Sequence, residues 1–281
     1  SQLTLRYAHY IHDMPNHLSI HSSGILIAEK HIHHYASTDL PPKGFPTAHF
    51  DMHIAEDIGL FKYDILGQRG LAKIKETIQL IHQNQPDNPP HPIDDIQHFK
   101  QDPQINQKIA QGGCVGCFYV ESPAMRMLLS KLQANDYLTL VAASSVIRPG
   151  VARSGMMREF ILRHRLPERR KEAHQVLLEI MPDTYGIMVY QEDVIKVAHA
   201  FAHLTLGEAD VLRRGMSGKY RSRAEFQAIK TKFFKNCADL QYGQDITEEV
   251  WRQIESFAGY AFAKGHSASY AVESYQALYL K

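Results

Sequence analysis

The stretch Phe61-Lys62-Tyr63-Asp64-Ile65-Leu66 decides how this chain is read. Side chains of a β-strand alternate between two faces, so Phe61, Tyr63 and Ile65 fall on one side while Lys62 and Asp64 share the other. A carboxylate beside an ammonium, at the end of an otherwise apolar strand, suits a site that holds a divalent cation and a phosphate oxygen together. The same two residues also suit an ordinary Lys–Asp pair at a sheet edge, and the segment alone leaves both readings open. A two-metal site needs several converging carboxylates, and no D-x-D or D-x-E pair places two acids on one strand face. Asp51, Glu56 and Asp57 have the spacing of surface or capping residues, with Glu56-Asp57 preceding an Ile58-Gly59 turn.

Outward from this strand, residues 1 to 66 read as strand-rich, with further candidates at Gly24 to Ala28 and Thr47 to His53. Leu71, Ile74, Ile78 and Ile81 recur at helical spacing over 71–83. The run Asn84 to Pro92 carries four prolines and is expected as an exposed loop over 84–93. Beyond it the pattern is mostly helical: 94–112, 123–134, 137–145, 154–165, 189–202, 206–216, 223–240 and 247–260. Gly116 to Val120 and Gly186 to Val189 read as short strands. The fold class is therefore α+β, a small sheet-bearing piece (1–66) followed by a larger helical one (67–281).

At 281 residues and 44% hydrophobic the chain can bury a sizeable core. No stretch approaches the roughly 20 apolar residues of a membrane span, and no basic-then-apolar leader precedes it. The chain opens on Ser1, and its last helical run, Ala271 to Lys281, has neither cap nor breaker, so both ends read as cut. Three cysteines cannot build a disulfide framework, which makes a reducing cytoplasm the default. Cys114 and Cys117 form a C-x-x-C that runs into an apolar segment, so buried, inert thiols are expected there. Histidines 9, 12, 17, 21, 31, 33 and 34 lack Cys or acidic partners at metal-ligand spacing.

Formal net charge is only +1, yet Arg148 to Lys171 holds eight Lys/Arg against two Glu, and Arg213 to Lys235 eight against one. Two such segments with interleaved aromatics point to a polyanion partner. Arg148 lies in a turn before a helix for which Ser154 is the expected N-cap. Arg213 and Arg214 close a helix ahead of a glycine-bearing turn, where guanidinium forks suit phosphate or simply complement the helix dipole. Lys264, His266 and Ser267 lie within a polar, glycine-punctuated stretch flanked by aromatics. They can line a nucleotide pocket, or Ser267 can cap a helix.

In this order, the motifs resemble the alpha subunit of bacterial DNA polymerase III, the C family of DNA polymerases. The matching stretches are His17 to Gly24, Phe61 to Gly67, Val115 to Met125, Arg148-Pro149-Gly150 with Ser154-Gly155-Met156, Thr184 to Gln191, Leu206 to Met216 and Phe262 to Tyr270. The resemblance implies a partial Pol β-like palm over 1–66 and the first part of helical fingers over 67–281. It gives Asp64 the role of third metal-binding aspartate in a two-metal Mg2+ site and Lys62 a phosphate contact. It gives Arg213 and Arg214 contacts to the incoming nucleotide and puts Lys264, His266 and Ser267 in the other nucleotide-facing segment, while Arg148, read from its turn, is a further nucleotide-binding candidate. It further implies primer–template DNA and dNTP as substrates, with the sliding clamp and other replisome subunits as partners. The family's upstream D-x-D strand is not among these residues, so the 281 residues alone are expected to be inactive. The turn Gly215-Met216-Ser217-Gly218-Lys219 and Ala263 depart from the family's usual pattern. The alternative is a non-enzymatic nucleic-acid-binding module that uses only the basic segments.

Overall fold

The computed structural model describes residues 2–12, 14, 20–147, 154–216, 223–256 and 262–281. The chain divides into two units, Ser1–Arg69 and Gly70–Lys281.

In the first unit, helix α1 (Gln2–Tyr10) buries none of its residues. Strand β1 (Gly24–Ile27) pairs antiparallel with the fourth strand of the chain, β4 (Phe61–Asp64), in the register Gly24↔Asp64 and Leu26↔Lys62. Between them, β2 (Thr38–Asp39) and β3 (Thr47–Ala48) make a second two-stranded pair. The strand expected over 47–53 is therefore only β3. From Met52 the chain turns helical (α2, Met52–Asp57), because the Asp51 carboxylate accepts the Ile54 N–H at 3.0 Å and starts a helix. Gly59, at φ +81°, then reverses the chain into β4. Ala55 and Leu60 are the buried apolar residues of this unit among those described.

The second unit is helical. It opens with α3 (Arg69–Asn84) and, after the proline-rich loop, continues with α4 (Ile96–Gln101) and α5 (Pro103–Ala110). Next come α6 (Pro123–Leu132), α7 (Tyr137–Val146), α8 (Met156–Arg165) and α9 (Gln175–Ile180). The series ends with α10 (Gln191–Ala200), α11 (Leu206–Met216), α12 (Arg223–Asp239), α13 (Gln244–Glu255) and α14 (Lys264–Leu280). The single helix expected over 94–112 is two, since Asp102 caps the second and Pro103 occupies its first turn, where a missing N–H costs nothing. One continuous core fills this unit, with Phe99, Phe160, Phe201, Phe233 and Tyr275 among its largest fully buried side chains.

Two expected strands are absent. Residues 116–120 are turns: Cys117 N–H donates to the Cys114 carbonyl at 3.1 Å, Gly116 sits at φ +81° and Tyr119 at φ +65°. Residues 186–189 are buried but find side chains instead of a partner strand. Thr184 Oγ1 donates to the Ile187 carbonyl at 2.7 Å, and the Asp193 carboxylate accepts the N–H groups of Val189 and Tyr190, both at 2.9 Å. Periodicity signals burial at such runs and says nothing about which group satisfies the backbone. Ser154 does not cap α8; Gly155, at φ +82°, occupies that position.

Candidate functional site

On β4, Lys62 and Asp64 do share a face. The ammonium donates to both carboxylate oxygens, at 2.6 and 2.8 Å, and His21 Nδ1 lies 3.5 Å from Oδ1. The hydrogen bond from Lys62 holds the Asp64 carboxyl below its ordinary value, with the charges of Lys62 and His21 acting in the same direction. Lys62 is the sheltered member, its side chain 18% exposed against 45% for Asp64. Gly24 opposite Asp64 leaves room for this arrangement, since a Cβ there would lie 3.0 Å from His21 Nδ1 and 3.1 Å from Lys62 Cε. The other face carries Ile25, Ile27, Phe61 and Tyr63, all at least 49% exposed.

A carboxylate is the right kind of donor for a hard cation such as Mg2+. Asp64 supplies one, and among the described residues no group of three His, Cys, Asp or Glu side chains could hold a metal ion. The donor fits in kind and falls short in number.

A second set of residues gathers in the helical unit. Helices α10 and α11 pack on each other across the short link 201–205. At the C-terminal end of α11, Asp210 binds both guanidiniums, Arg213 at 2.8 Å and Arg214 at 3.0 Å. At the start of α10, Gln191 N–H donates to the Phe262 carbonyl at 3.2 Å. Glu192 accepts the Lys264 backbone N–H at 3.0 Å, and Lys264 Nζ reaches Asp183 at 3.2 Å and lies 5.3 Å from the centroid of the Tyr190 ring. His266 is exposed, its ring 5.4 Å from that of Phe262. Ser267 is fully buried and hydrogen-bonds the Ser145 hydroxyl on α7; the cap position of α14 belongs to Ala263. Arg148 lies outside the described residues, as does Lys219 of the finger turn.

Sequence reasoning missed the carboxylates. Asp210 stands three and four residues before its arginines, a spacing legible on any helix. Asp183 and Glu192 meet Lys264 across 81 and 72 residues, and no local pattern announces that. Three cations of the earlier basic segment are tied into the fold. Glu159 binds Arg163 and Arg169, Arg163 also donates to the Tyr185 carbonyl, and Arg170 stacks 4.2 Å from the Tyr185 ring. The thiols of Cys114 and Cys117 are buried, as expected. Cys237 is buried too, and burial pushes Cys114 and Cys237 up to about 11 and raises Cys117. Among the described residues no helix is long and apolar enough to cross a membrane.

A strand of the small sheet unit and a helix end of the helical unit each carry carboxylate-paired cations. Comparison with known proteins gives the family. Residues 70–241 match the model of the bacterial DNA polymerase III alpha subunit finger domain, and residues 1–67 match that of the bacterial DNA polymerase III alpha NTPase domain. The chain is 31% identical over 272 residues to DNA polymerase III subunit alpha of Aquifex aeolicus, across 95% of this chain and 23% of that protein. It is 32% identical over 268 residues to the same subunit of Staphylococcus aureus strain COL, across 95% of this chain and 24% of that protein. The chain belongs to the bacterial DNA polymerase III alpha subunit family. It spans about a quarter of the length of these relatives.

Proposed function

We propose that this chain serves, within the whole protein, in template-directed DNA synthesis by a DNA-directed DNA polymerase. Residues 1–66 form the end of a Pol β-like palm and residues 67–281 the first part of the fingers. In the reaction a primer 3′-hydroxyl attacks the α-phosphate of a dNTP and pyrophosphate leaves. The observation that carries the reading is the Lys62–Asp64 pair on one face of β4, in a chain of this family.

Asp64 would supply one carboxylate ligand to Mg2+, which when bound would neutralise charge that develops in the reaction. Its other carboxylate ligands are not among these residues, so the 281 residues alone do not extend a primer. Lys62 exchanges a carboxylate oxygen for a phosphate oxygen. Arg213 and Arg214 turn their forks from Asp210 to the dNTP phosphates, joined by Lys264 and His266, with Arg148 in support. Ser267 acts through the placement of α14. Primer–template DNA and dNTP are the substrates, the sliding clamp and other replisome subunits the partners, and the cytoplasm the site of action.

The test is Asp64→Asn in the full-length protein. Primer extension should fall by at least about 100-fold, the upper end for groups one step removed from a metal, while DNA binding by fluorescence anisotropy is kept. Unchanged incorporation would overturn the reading in favour of a non-enzymatic nucleic-acid-binding module, whose affinity falls steeply with salt.

A further inference from the structure

Glu273 lies on α14, 6% exposed, and its Oε1 has no hydrogen-bond partner. It packs against the first turn of α3. A Cβ at Gly70 would lie 1.7 Å from Glu273 Oε1 and 2.5 Å from Phe118 Cδ2, so the space a side chain would need at position 70 is filled by the carboxyl. Gly70 and Ile74 are the buried residues of α3, a helix of 16 residues. Beyond this contact the packing opens into a cavity of about 190 Å3, lined by Lys73 and Thr77 of α3, Gly116 and Cys117 of the loop, and Ala277 and Lys281 of the C-terminal segment. The helix is thus held near its first turn, beside a pocket that opens to solvent.

We propose that Glu273 is a proton-dependent anchor for α3: the neutral carboxyl lets the first turn of α3 seat on α14, and the ionised form loosens it. An ionised carboxylate buried without a partner is costly, and it regains solvation when the neighbouring turn moves away. Burial alone raises the Glu273 carboxyl above its ordinary value of 4.5.

The charged side chains on the elements around it do not relieve it. On α3 neither Arg69 nor Lys73 contributes to its shift, and Lys281 donates to the carbonyls of Gly113 and Val115 at 2.9 Å. On α4, Lys100 lies over the Tyr137 ring at 3.8 Å. Lys108 on α5 and Glu121 after the loop contribute nothing to the shift, and α7 carries no charged residue. The N-terminal dipole of α3 favours an anion, yet no N–H donates to Oε1. The sign follows. The seated state holds its proton more tightly than the loosened one, so seating is strongest below about 4.5 and weakens as pH rises through the elevated value.

The experiment is hydrogen exchange by mass spectrometry on the full-length protein, reading protection over the intrinsic rate for amides 70–78, with α7 as internal reference. As pH rises above about 4.5, relative protection of α3 should fall by up to about tenfold per pH unit, the limit for one proton, and then level off. In Glu273→Gln it should stay flat, and in Glu273→Val flat and higher. The valine variant decides the matter if the glutamine variant does not fold. A flat wild-type profile, or a variant that tracks the wild type, would overturn the proposal.

Discussion

Phe61 and Phe233 show how differently the two units are held together. Phe61 sits in a paired strand with alternating faces and is 65% exposed; Phe233 sits on α12 and is 0% exposed. The contrast extends to their surroundings. In the first unit Ala55 and Leu60 are the buried apolar residues among those described, and the apolar face of β1 and β4 is open. In the second unit the core runs without interruption from Phe99 to Leu278. A two-stranded sheet is marginal in water without further strands or a helix on its apolar face. A helical body can close a core from its own amphipathic stripes. The sheet unit thus carries its candidate chemistry on a lightly buried support, and the helical unit carries its own on a rigid one.

The sharpest way to break this comparison is a pair of truncations. Phe233→Ala should destabilise the helical unit by about 3–5 kcal/mol, read by chemical denaturation, whereas Phe61→Ala should stay within about 0.5 kcal/mol. Equal losses would show the two units to be held alike. Next in size, Asp193→Ala leaves the buried N–H groups of Val189 and Tyr190 without an acceptor, at about 1–3 kcal/mol each. The corresponding loss in the sheet unit, Asp51→Ala at the exposed cap of α2, should cost about 1 kcal/mol.

Smaller still, Arg213→Ala and Arg214→Ala should each change stability by less than about 1 kcal/mol, since both pair with a partly exposed Asp210. If the nucleotide reading holds, the same variants of the full-length protein raise the dNTP KM. The smallest effect is a titration. Lys62 depresses the Asp64 carboxyl, so the stabilising pair is present above the ordinary value of 3.8 and is lost as pH falls through the depressed one. Lys62→Met should move the Asp64 carboxyl midpoint up towards 3.8, measured by carbon NMR of the side chain. An unchanged midpoint would remove Lys62 as the cause.

Much of the helical unit was legible because its stripes repeat over several turns: Leu206–Met216 begins and ends where the spacing places it, and Arg223–Asp239 falls one residue short. The missed strands at 116–120 and 186–189 are runs too short for periodicity to separate a strand from a buried turn. The first was settled by backbone geometry and by a distant group, the Tyr119 hydroxyl on the Ser144 carbonyl at 2.8 Å, the second by the Thr184 and Asp193 side chains a few residues away. Prolines placed the loop after Asn84, whereas the helical spacing over 94–112 masked the break at Asp102-Pro103, where a proline in the interior already signals a new start.

At the candidate site the division is the same. Alternation along 61–64 determined that Lys62 and Asp64 share a face, since a strand has a period of two whatever surrounds it. Local order also determined the family, through motifs laid out from residue 17 to 270. Tertiary structure alone decided that the apolar face beside that pair stays open, that Asp183 and Glu192 hold Lys264, and that Glu273 fills the space left by Gly70. Those are contacts between residues far apart in the chain, set by which surfaces the packed helices bring together, and no local period encodes them.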